Sequence, residues 1–215
     1  MKISFSAPSL PRSGPVVVGV LSGGKLLATA ERLDKAADGA LSRAMDASRF
    51  KGESGQSLTV MAPAGVGASR VVLMGLGEAE RFDDLAAQAY GGRAYKAVAG
   101  TGDKSAVIAI DPVSGAKIKT SGVSANAAYG ALLASYRFDK YRTKEKADAK
   151  PSIKTLILSS RDSADAKKAF APLAKIADGV FFTRDLVSEP ANILYPVTLA
   201  AQAKTLEKLG VKIQV

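Results

Sequence analysis

The apolar positions of this chain fall into short blocks with two different periods. Residues 2–6 and 16–21 read as strands, the second a near-continuous β-branched run that suits a fully buried sheet position. Gly23-Gly24 reads as a turn. Residues 30–47 then carry Leu33, Ala37, Leu41, Ala44 and Met45 at helical spacing and predict one helix. Residues 58–62 and 70–76 predict two strands joined hairpin-fashion by the Gly-rich stretch 63–69. Asp83-Asp84 can cap a helix over 85–99, and the Gly91-Gly92 pair inside it points to close packing against a neighbouring element. Residues 106–110 predict another buried strand. Ser121 or Ser124 starts a helix ending near 135, and 152–159 supply a further strand. Six or seven strands with intervening helices make an α/β domain up to about residue 160.

Beyond that point the period changes. Residues 163–188 read as one long helix whose stripe is Ala166, Ala169, Leu173, Ile176, Val180 and Val187, kinked or broken at Pro172 and ended by Pro190. Pro196 suits the first position of a new helix carrying Leu199, Ala203, Leu206 and Leu209, with Gly210 as its stop. Residues 211–215, VKIQV, alternate like a strand that needs a sheet to join. On pattern, residues after about 185 open a second domain whose remainder lies outside this sequence; the alternative is that the last strand docks on the edge of the first sheet.

Composition narrows the chemistry. The 215 residues hold no Cys and no His, which excludes disulfides, thiolate sites, a Cys nucleophile and His-based triads. The N-terminal stretch has no continuous apolar run, being interrupted by Ser4, Ser6, Pro8, Pro11 and Gly14, so no secretory signal and no membrane span are expected. The formal charge of +10 favours anionic partners. Its densest segment runs from Tyr136 to Lys154, where Arg137, Lys140, Arg142, Lys144 and Lys146 interleave with Tyr136, Phe138 and Tyr141. That combination makes those five basic residues candidate DNA contacts, against the plainer reading of a solvated charged loop. Gly75-Leu76-Gly77 follows a strand but lacks the third glycine of a dinucleotide loop, and Glu78 and Glu80 would repel a pyrophosphate. Asp83-Asp84, and Asp162 with Asp165, sit where helix starts want acids. No catalytic and no metal-ligating residue is assigned.

The stretch 183–196, TRDLVSEPANILYP, resembles the junction signature of the leucyl (cytosol) aminopeptidase family, with Arg184, Leu186, Pro190, Asn192 and Pro196 matching and Ser188 standing where the family often has Asn. Tyr136-Arg137-Phe138-Asp139 resembles a second family segment, and the strand ending in Gly75-Leu76-Gly77 a third, looser one. The resemblance implies a macro-like N-terminal α/β domain with a mixed sheet flanked by helices over 1–160, a linker helix over 161–189, and the truncated start of an α/β peptidase domain over 190–215. It implies a cytoplasmic metallo-exopeptidase, a homo-hexamer at full length, that releases N-terminal amino acids from peptides, leucine favoured. Two divalent ions, manganese or zinc, would belong to the peptidase domain, and none is expected in this chain. The family's Asn-Thr-Asp-Ala-Glu-Gly-Arg-Leu string is absent from the sequence. The 215 residues alone are therefore expected to be inactive and to serve scaffolding or assembly; the alternative is a basic nucleic-acid-binding module.

Overall fold

The computed structural model describes residues 1–9 and 12–215; Leu10 and Pro11, the latter one of the residues that interrupt the N-terminal apolar run, lie outside the described residues. The first half of the chain supplies β1 (Lys2–Ser6), β2 (Pro15–Leu21), β3 (Lys25–Leu26), α1 (Ala28–Ala36), α2 (Ala40–Asp46), β4 (Ser57–Met61) and β5 (Arg70–Gly77). There follow α3 (Asp84–Val98), β6 (Ser105–Ala109), α4 (Thr120–Ala134), β7 (Thr155–Ser159), α5 (Ser163–Ser188) and α6 (Pro196–Lys204).

One mixed sheet runs in the order β1-β7-β6-β2-β5-β4, with β3 paired to β2. The hairpin partner β4 is antiparallel to β5, and the two-residue β3 antiparallel to β2; the other neighbours are parallel. The period-2 geometry of a strand splits the VVVGVL run between two cores. Val16, Val18 and Val20 join Val71 and Leu73 under α1 and α2. Val17 and Leu21 join Val72, Met74, Leu156 and Leu158 under α3 and α4. Each such fully buried aliphatic side chain contributes about 1.5–3 kcal/mol relative to exposure.

The second layer is tight because it is built on small residues. A Cβ on Gly91 would stand 1.9 Å from the Ala127 carbonyl oxygen, and one on Gly130 would stand 1.9 Å from that of Gln88. Only glycine allows α3 and α4 to approach this closely. The Gly75-Leu76-Gly77 run has a similar cause: a Cβ on Gly75 would stand 2.0 Å from the Glu53 carbonyl oxygen, and Gly77 adopts φ 79°. These glycines serve a backbone crossing.

Four expectations need correction. The helix over 30–47 is two helices, α1 and α2, parted at Asp38 (φ 50°) and Gly39 (φ 75°). Asp34 enforces the break: its carboxylate accepts hydrogen bonds from the amides of Leu41 (2.8 Å) and Ser42 (3.0 Å), the free donors of a fresh helix start. The helix over 120–134 starts after Lys119 without a side-chain cap, and Ser124 is buried inside it. Pro172 does not split the helix: α5 runs from Ser163 to Ser188 with Pro172 inside it and exposed. Finally, residues 211–215 form no strand and pair with no sheet.

The stripe of α5 is also shifted. Its inward line is Ala166, Phe170, Leu173, Ala177 and Phe181, at spacings of three and four. Ile176 and Val187, placed by sequence on that stripe, are 53% and 81% exposed. The packed line holds α5 along α4 and against β1, where the Phe5 and Phe170 rings meet at 5.5 Å.

Candidate functional site: the junction clamp

Between the α/β body and residues 190–215, polar and aromatic side chains from two distant stretches converge. One stretch is Tyr136–Arg142, the loop after α4; the other is the last turn of α5 and its cap, Phe181 to Glu189. The Tyr136 hydroxyl donates to Asp185 at 2.8 Å, and its ring packs on Phe181 at 5.3 Å. The Arg184 guanidinium lies over the Tyr136 ring at 5.4 Å and donates to the Leu133 carbonyl, the end of α4, at 3.1 Å. Glu189 receives Lys140 at 2.6 Å on one oxygen and the Tyr141 hydroxyl at 2.5 Å on the other. Tyr141 is steadied in turn by the edge of Phe138 at 5.8 Å.

The electrostatics follow from these contacts. Lys140, then the Tyr141 hydroxyl, holds the Glu189 carboxyl below the ordinary glutamate range. In return the hydrogen bond to Glu189 raises Lys140 and Tyr141. Glu189 is the C-terminal cap residue of α5, so the bonds fix the direction in which the chain leaves the helix. Pro190 and Pro196 set the next turn. The Thr198 hydroxyl accepts from the Tyr195 amide at 2.9 Å and locks the first turn of α6, with Pro196 at its start.

Beyond the clamp the surface is apolar. Val197, Leu209 and Val215 are 71%, 79% and 80% exposed, and no residue of α6 is buried. The tail folds back on α6 to enclose an open hollow of about 510 Å³ lined by Leu194, Leu199, Ala203, Ile213 and Val215.

The five basic residues singled out in the sequence are divided by the structure. Arg137 donates to both oxygens of Glu145 at 2.6 Å and to Asp139 at 3.0 Å. Lys140 is committed to Glu189, and Arg142 lies 3.8 Å from Glu145 and 4.0 Å from Asp139. Lys144 and Lys146 are in the loop that follows. Sequence reasoning missed Asp185 and Glu189 as partners of this loop; no local pattern links residues almost fifty positions apart.

The remaining candidates resolve into structural work. Asp83 caps α3 through the Ala86 amide at 2.9 Å, and Asp84 accepts from Asn126 at 2.8 Å. Asp165 pairs with Lys168 at 3.6 Å. At the carboxyl ends of β2, β5 and β6, where α/β sheets commonly take ligands, the space between Gly19, Leu76, Phe82, Tyr90 and Asp111 is only about 10 Å³. Asp111 is already bound to the Thr29 amide and hydroxyl, at 2.9 and 2.7 Å. Among the described residues no group of three or more acidic, His or Cys side chains is placed to hold a metal ion.

A mixed, mostly parallel sheet between two helical layers, with a long helix clamped to its flank, makes this an α/β protein. Its residues 17–145 match the description "Cytosol aminopeptidase family, N-terminal domain". The chain belongs to that family. It is 41% identical over 217 residues to a "Probable cytosol aminopeptidase" of Caulobacter vibrioides, and 37% identical over 216 residues to one of Rhodopseudomonas palustris. Each match takes in 100% of this chain and 43% of the relative. Among solved structures it superposes on a tomato leucine aminopeptidase mutant with a TM-score of 0.80 at 23% identity, over 97% of this chain and 42% of that one. The bottromycin maturation enzyme BotP in complex with Mn gives 0.66 at 21% identity, over 91% of this chain and 36% of that one. The N-terminal-domain match ends at residue 145, past the first half of the clamp; the full-length relatives extend the likeness through the second half.

Proposed function

We propose that this chain is the platform part of a metal-dependent aminopeptidase of the cytoplasm, one that releases N-terminal amino acids, leucine among those favoured, from peptides as a homo-hexamer. On this reading residues 1–160 are the N-terminal domain, 161–189 the linker helix, and 190–215 the first segment of the peptidase domain. The observation that carries it is the clamp: Glu189 and Asp185, on the linker, are held by Lys140, Tyr141 and Tyr136, on the domain. Both halves are the stretches in which the family resemblance is most specific. The exposed apolar side chains after Val187 support the same reading, since they suit a surface covered by further polypeptide. The chain spans 43% of its relatives' length, and the two ions, manganese or zinc, belong with the portion it does not span.

Two experiments test this. The pure 215-residue chain with manganese should leave leucine p-nitroanilide intact, and turnover above buffer would contradict the assignment of roles. Replacing the matching 43% of the Caulobacter protein with this chain should give an active chimera. Clamp variants should then lower its activity while leaving the platform folded. An inactive but soluble, folded chimera would count against the platform role.

The nucleic-acid reading rests on Arg137, Lys140, Arg142, Lys144 and Lys146. The ion pairs of the first three favour the platform reading, because charge already met by Asp139, Glu145 and Glu189 is less available to a phosphate.

A further inference from the structure

Another group of basic side chains without ion pairs gathers at the amino ends of β6 and β7, where the end of the Tyr136–Lys154 segment meets Lys104. Register pairs Ser105 with Thr155. One step earlier Lys104 therefore stands beside Lys154, and the Lys154 amide donates to the Lys104 carbonyl at 2.8 Å. Like charges side by side on neighbouring strands repel. Among the described residues neither lysine, nor nearby Lys150, makes an ion pair. All three line one hollow of about 640 Å³, floored by the Gly100–Gly102 turn. Two carboxylates also line it. Glu145 is spent on Arg137, which leaves Asp148 alone against three ammonium groups. Asp103 turns away, toward Gly14.

Two lysines set side by side at a sheet end without an acid between them repel, and a bound anion would relieve that repulsion. We propose that this hollow is a binding site for a small phosphate dianion, inorganic phosphate or a phosphate monoester, held by Lys104, Lys150 and Lys154. The surplus of two positive charges matches a dianion. The concave shape and the volume, within the range of small-molecule sites, suit a compact ligand better than a duplex. The site lies at the opposite end of the sheet from the filled crevice by Asp111. It does not depend on the platform reading.

The test is titration of the ¹⁵N-labelled chain with inorganic phosphate at constant ionic strength, followed by backbone amide shifts. Saturable shifts confined to residues 100–104 and 150–154 are expected. The Lys104→Glu/Lys154→Glu pair should weaken binding by at least about tenfold, with the spectrum of α3 and α4 unchanged as proof of fold. Lys150→Gln, in the loop, is the milder variant should the pair fail to fold. The Lys154→Glu variant makes an opposite-charge pair, so without phosphate its Tm should rise by roughly 1–3 °C, and phosphate should no longer raise it further. Unsaturated shifts spread over unrelated lysines such as Lys167 and Lys208 would overturn the proposal. So would shifts at the site with a DNA duplex but none with phosphate, or a Tm that falls in Lys154→Glu while phosphate still stabilises it.

Discussion

The body of the molecule and its last 26 residues use the same kinds of side chain to opposite ends. In the body, Val17, Val18, Leu73 and Leu158 are fully buried on one face or the other of the sheet. In the tail, Val197, Leu209 and Val215 carry comparable apolar area and expose most of it. Helix α6 has its starting proline and its locked first turn, and the 3-10 turn Thr205–Leu209 that follows it ends at Gly210, yet neither buries anything. Local signals are thus enough to specify a helix, while a core needs partners on the other side. The clamp is the border between the two regimes, and it is made of polar contacts that fix direction without contributing a core.

The sharpest way to break the comparison is inside the body. Gly91→Val sets a branched side chain against the Ala127 backbone, which cannot move without parting α3 from α4. A loss of more than about 4 kcal/mol, seen as insoluble expression or an abolished urea transition, is expected. Next, Leu156→Ala should cost about 2–5 kcal/mol by urea denaturation, whereas Leu199→Ala in the tail should stay within about 0.5 kcal/mol. Equal losses would erase the distinction between the regions.

The clamp should respond more subtly. Glu189→Ala removes the acceptor of Lys140 and Tyr141, so amide exchange over residues 185–195 should quicken several-fold while α4 keeps its protection. The pH dependence has a definite sign. Glu189 is depressed in the folded protein, so its contribution is fully present above the ordinary glutamate value of about 4.3. It is lost as pH falls from there through the depressed value. Acidification should therefore loosen residues 185–195 in the parent and add little in Glu189→Ala. The smallest effect is expected for Lys144→Glu/Lys146→Glu, which should leave stability by urea denaturation within about 0.5 kcal/mol, because both side chains are exposed.

The sheet was readable from sequence because its strands are continuous β-branched or aliphatic runs bounded by Gly, Pro and Asp, as at β2, β5 and β6. Gly91 was readable too, since a glycine inside a helix needs a reason. The α1–α2 break was not, because the Leu33–Leu41–Met45 spacing runs straight through it and only the reach of Asp34 to the Leu41 and Ser42 amides reveals it. The stripe of α5 drifted because threes and fours were alternated, whereas the packed line steps four, three, four and four. The strand expected over 211–215 has the right alternation, but alternation without a neighbouring strand leaves the backbone unpaired. At the clamp, the resemblance marked both halves as meaningful, but their contact across almost fifty residues is a product of the fold.

Hydrogen–deuterium exchange on the pure 215-residue chain tests the two-region account most directly. Strands β2, β5 and β7 with helices α3 and α4 should exchange only through global unfolding, protection should fall across Asp185 to Glu189, and residues 196–215 should exchange within the shortest labelling times. Protection of residues 196–215 equal to that of α4 would contradict it, because the tail would then own a core that its exposed Val197, Leu209 and Val215 do not supply.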